Sequence, residues 1–97
     1  MNERTNRFIA GLLEHLERFE TLTPDGKVLL SIVCKPPLEK IDLWTTVVEG
    51  SVLITIAPNK GPQHHFWAEA EKLDHKDTIE RTLNFFVRVH EFSKSCI

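Results

Sequence analysis

The sequence predicts an α+β fold, an antiparallel three- to four-stranded meander flanked by an N-terminal and a C-terminal helix. Three observations predict it. Apolar residues recur at helical spacing near both ends of the chain, β-branched runs fill its middle, and turn residues separate the runs.

The first segment reads as an amphipathic helix from Glu3 to Thr21. Phe8, Ile9, Leu12, Leu13, Leu16 and Phe19 recur along one side, with Arg7, Glu14, Glu17 and Arg18 on the other. Thr23-Pro24-Asp25-Gly26 then supplies turn chemistry, because proline presets φ and glycine accepts positive φ. Val28 to Cys34 reads as the first strand, and Lys35-Pro36-Pro37 ends it, since proline cannot donate to a ladder. Ile41 to Val48 and Val52 to Ala57 form a hairpin about Glu49-Gly50. After Pro58 to Pro62, the alternation of Phe66, Ala68 and Ala70 with Trp67, Glu69 and Glu71 favours a fourth strand over a short helix. The last element is a helix from Lys76 to Lys94, with Ile79, Leu83, Phe85, Phe86, Val87, Val89 and Phe92 spread around it.

The hairpin turn sets a register. Val47 faces Val52, Thr45 faces Ile54 and Leu43 faces Ile56, and paired residues share a face. Carried through the other turns, this groups Val28, Leu30, Ile32, Ile41, Leu43, Val47, Val52, Ile54, Ile56 and Phe66 on a core face. The opposite face is mixed: Leu29, Ser31, Val33, Trp44, Thr46, Leu53, Thr55, His65 and Trp67. This register places Trp44 between Ser31 and Thr55.

Ninety-seven residues leave room for one core, so 1–97 reads as a single domain. A net charge of −2 with both signs scattered provides no field for nucleic acid or an anionic membrane. The N-terminal apolar stretch is interrupted by Glu14, His15 and Glu17, unlike a signal peptide, and no run is long enough to cross a bilayer. Two cysteines without a CxxC spacing read as reduced thiols, and the expected location is cytoplasmic. Cys96 is penultimate and does not match a C-terminal prenylation box.

Site-like features are few. His64, His65 and His75 form the one metal-like grouping, but adjacent strand residues point to opposite faces, so no metal site is expected. Cys34 falls on the core face and reads as an inert thiol. The serines lack an elbow motif, no carboxylate pair stands out, and there is no glycine-rich phosphate loop. The expectation is no enzyme, no catalytic residue and no cofactor. Base stacking on Trp44 and Trp67 would need a basic groove, and their face has only Lys27 at its margin, so no nucleic-acid partner is expected.

The mixed face instead suggests protein binding, because tryptophan is enriched at interface hot spots. Trp44, Trp67, Leu53, Leu29 and Val33 are the candidate partner-binding residues. Either the C-terminal helix covers them or a partner does. The expected function is that of a small non-catalytic interaction domain, of the inhibitor, immunity-protein, adaptor or chaperone type, binding another protein or pairing as a homodimer. The helix-then-meander order resembles that of the small dimeric secretion chaperones at the level of the fold, and no family is recognised. The alternative is a small-molecule-binding or enzymatic domain with its site at an oligomer interface, marked by a pocket of His64, His75 and carboxylates.

Overall fold

The computed structural model describes residues 3–24, 26–36 and 38–95, with side chains described as far as residue 90. Asp25, Pro37, Cys96 and the side chain of Phe92 lie outside the described residues.

Helix α1 spans Glu3–His15, and strands β1 (Glu20–Leu22), β2 (Leu30–Val33), β3 (Lys40–Val48), β4 (Ser51–Pro58) and β5 (His64–Glu69) follow. A 3-10 turn at Ala70–Lys72 leads into helix α2, Lys76–Ser95. The fold is α+β, as expected, but the sheet has five strands, in the order β1-β2-β3-β4-β5, and every neighbouring pair is antiparallel.

The extra strand comes from the predicted helix, which ends at His15 rather than Thr21. Two tight turns, Leu16 N–H to the Leu13 carbonyl and Phe19 N–H to the Leu16 carbonyl, carry the chain out of α1. Leu16 is still buried and Phe19 still packs on the core, so their spacing imitates a continuing helix. Pairing with the outer edge of β2 then draws Glu20–Leu22 into the sheet.

At the β3–β4 hairpin both turn residues have positive φ, 46° at Glu49 and 80° at Gly50, the twist that a two-residue turn requires. The register is the expected one: Val47↔Val52, Thr45↔Ile54 and Leu43↔Ile56. Across β2 and β3 the expected register fails by two residues. Ser31 sits opposite Asp42, not Trp44, because the long turn between these strands carries no register signal of its own.

Both helices cover the same face. Phe8, Ile9 and Leu12 of α1, Leu16 just beyond it, and Phe86 and Val89 of α2 close over Leu30, Ile32, Ile41, Leu43, Val52, Ile54, Ile56 and Phe66. Phe85 stacks on Phe66 with ring centroids 5.1 Å apart and planes within 8°. The helices meet closely at Gly11, where a Cβ would lie 2.6 Å from Ile79 Cδ1. Two expected core residues are not fully buried: Val28 is half-buried and Val47 is 68% exposed. Val52, directly opposite Val47 on β4, is buried, so at this level cover reaches β4 and not β3, and inner parity alone does not imply burial.

A polar clasp ties α1 to the entry of α2. Arg7 Nε donates to Asp74 Oδ2 at 2.8 Å, and Arg4 Nε lies 3.6 Å from Oδ1. The Arg7 hydrogen bond holds the Asp74 carboxyl below its usual range, with the charges of Arg7 and Arg4 adding to it. A carboxyl depressed in the folded state stabilises above its unfolded value, near 3.9, and that contribution vanishes as pH falls through the folded value. Asp74→Asn is therefore expected to lower the thermal midpoint at neutral pH and to converge with wild type below about pH 4. Melts across pH check this, and parallel profiles would refute it.

Candidate functional site

The outer face of the sheet carries the candidate residues. Side-chain direction alternates along each strand, so Trp44, Thr46 and Val48 of β3, Ser51, Leu53 and Thr55 of β4, and His65, Trp67 and Glu69 of β5 all point away from the helices. Leu53 sits directly opposite Trp67, and Thr55 lies between Trp44 and His65. Trp44 is a diagonal neighbour of Leu53, within reach of its ring. On the β2 side the neighbour of Trp44 is Leu29, whose N–H donates to the Leu43 carbonyl at 2.9 Å.

Trp44 is half-buried without any help from α2. The ammonium of Lys27 lies 4.5 Å from its ring centroid, a cation–π contact that also shields part of the ring. Trp67 has no such cover and is 54% exposed. Beneath them Thr55 is buried, and its hydroxyl lies 3.2 Å from His65 Nδ1, which holds the imidazole flat along the face.

The sheet brings four of the five candidates together: Trp44, Leu29, Leu53 and Trp67. Val33 is apart. It stands between Glu20 and Lys40, cut off from Trp44 by the Ser31–Asp42 pair. Ser31 Oγ donates to Asp42 Oδ1 at 2.6 Å, and Lys40 Nζ lies 3.5 Å from Oδ2. Asp42 breaks the apolar pattern of β3, so periodicity does not reveal its role as a divider. Two further apolar side chains belong to this face, Leu22 and Val48, exposed by 53% and 48%. Val48 shares the parity of Trp44 and was legible. Leu22 was hidden by the helical spacing that runs through Phe19.

The other candidate chemistry does not assemble. His64 and His65 point to opposite faces, with His64 half-buried and its ring centroid 6.3 Å from that of Phe85. His75 is exposed just ahead of α2. Among the described residues no three His, Cys, Asp or Glu side chains group so as to hold a metal ion. Cys34 is half-buried with its thiol 3.8 Å from the Ile32 carbonyl, and burial pushes its pKa up, which disfavours the thiolate a nucleophile needs. Neither His64 nor His75 lines either of two clefts, one at Phe86 and one at Trp67. The first, of about 80 Å³, lies between α1, α2 and the sheet and is lined mainly by Leu16, Phe19, Ile32, Ile41, Leu83 and Phe86.

No described helix is long and apolar enough to cross a membrane. No family model matches the chain, and searches of curated proteins and of solved structures return no match.

Proposed function

We propose that this chain is a non-catalytic protein-interaction domain that binds a protein partner, or a second copy of itself, through the outer face of its sheet. The observation that carries the reading is that both helices lie on the inner face, while Trp67, Leu53, Trp44 and Val48 share the other with no element across them among the described residues. Exposed aromatic and aliphatic groups clustered on one face mark an interaction surface. Rigid tryptophan rings lose little conformational entropy on binding, which suits them to be its anchors. A role as an inhibitor, immunity protein, adaptor or chaperone in the cytoplasm accommodates such a surface without catalysis.

The test separates binding from stability. Trp44→Ala and Trp67→Ala are expected to remain folded, because neither ring is part of the helix-covered core. Association with the partner is expected to weaken by about 2 kcal/mol or more at such an anchor. Light scattering of wild type and both variants at matched concentration, beside thermal melts, reads self-association. Affinity capture with the variants as controls reads a different partner. A Trp44→Ala protein that unfolds as a monomer would overturn the reading, since the ring would then serve the fold alone.

A further inference from the structure

We propose that two copies of this chain pair edge to edge through β5, in antiparallel register about Trp67, to form one continuous ten-stranded sheet. The inference rests on the interaction-domain reading and names its partner and its register.

The ladder shows which backbone groups of β5 are free. Ala70 N–H donates to the Gly50 carbonyl at 2.9 Å, and the register Ser51↔Glu69 makes Gly50 and Ala70 opposite partners. Hydrogen-bonded pairs alternate with non-bonded pairs in an antiparallel ladder. Ala68, Phe66 and His64 therefore turn their N–H and C=O groups towards β4. His65, Trp67 and Glu69 turn theirs away, to an edge with no strand beyond it. The neighbouring ladder agrees: Asn59 N–H donates to the Lys40 carbonyl at 3.0 Å, so the odd residues of β4 pair with β3 and leave the even ones for β5.

The two edges of the sheet differ. β1 has three residues and is followed by Pro24, which limits what can pair there. β5 has six residues, His-His-Phe-Trp-Ala-Glu, with no lysine, arginine or proline to block an incoming strand. Beside it lies an open depression of about 270 Å³ lined by Phe66 and Trp67, from opposite faces of the strand, and by Lys72, Asp77 and Arg81. Contact with both faces places that space at the free edge.

The choice of occupant comes from the way the polar groups of this edge complement a second copy of themselves. A two-fold axis at Trp67 sets Trp67 opposite Trp67 of the second copy and His65 opposite Glu69 of the second copy, twice over. Each of these pairs exchanges two backbone hydrogen bonds through the groups already turned outward. In the tautomer with its proton on Nε2, the imidazole donates to the opposing carboxylate while Nδ1 accepts from the Thr55 hydroxyl 3.2 Å away. Among the described residues Glu69 pairs with Lys72, 3.3 Å away in an exposed pair that is readily exchanged. The outer faces of the two copies become one surface, with the paired Trp67 rings at its centre.

The test uses charge exchange and hydrogen exchange on the full chain. Sedimentation over a wide concentration range is expected to show a monomer–dimer equilibrium. His65→Glu sets like charges opposite one another at both ends and is expected to weaken the dimer about tenfold. The double variant His65→Glu with Glu69→His exchanges the charges and is expected to restore it. In parallel, the amides of Trp67 and Glu69 are expected to gain exchange protection as concentration rises, while those of Phe66 and Ala68 stay protected throughout. A chain monomeric at all concentrations would overturn the proposal and leave binding of a different protein through the outer face open. A dimer lost in Trp44→Ala but indifferent to His65→Glu, with the Trp67 amide unprotected, would also overturn it and favour face-to-face pairing.

Discussion

Ile54→Ala is expected to lower the free energy of unfolding by about 2–5 kcal/mol. Ile54 is fully buried on β4, the strand flanked on both sides by long partners, opposite Thr45 on one side and Phe66 on the other. Truncation removes apolar burial and leaves a cavity that the flanking strands cannot close, because their ladders fix their spacing. Domains of this size are held by roughly 5–15 kcal/mol in all, so the loss is a large share. Urea denaturation of Ile54→Ala and Leu53→Ala provides the comparison. Leu53 is the next residue and faces outward, half-buried, so its truncation is expected to cost much less. Equal shifts in the two midpoints would mean that the outer face is as much core as the inner one.

Phe8→Ala is expected to cost about 3–5 kcal/mol, the range for removing a buried ring. Phe8 is fully buried on α1, with Leu12 one turn beyond it and Leu16 past the helix end. Those few side chains, the Gly11–Ile79 contact and the Arg7–Asp74 clasp dock α1 on the rest of the molecule. The cavity left by Phe8 would be enclosed, whereas Phe86 already borders a cleft, so its loss is relieved more easily. A reduced melting temperature with lost helical signal checks this. An unchanged midpoint would show that α1 contributes little to folding.

The outer face of the sheet was partly legible from residue alternation alone. Leu53 and Trp67 are opposite each other across the β4–β5 ladder, and alternation along both strands puts the pair on the outer face. Trp44 and Leu29 share the face by parity. Val33 shares the parity too, yet it is isolated by Asp42 and Ser31, and only the pairing across the long β2–β3 turn decides that separation.

The sequence by itself determined the helix–meander–helix order, the β3–β4 hairpin with its register, and the two faces of the sheet. These follow from interactions within a few residues: turn geometry, side-chain period and proline's missing N–H. The tertiary structure alone decided where α1 ends, since an edge of β2 needing a partner converted Glu20–Leu22 from apparent helix to strand. It alone decided that Val47 is uncovered while Val52 opposite it is buried, because the placement of the helices sets which strands are covered at that level. It also decided that α2 lies beside α1 rather than across the tryptophans, through the docking of Phe86 and Val89 on the inner face. Periodicity tells a helix which of its sides to bury. It carries no information about which face of a distant sheet receives that side.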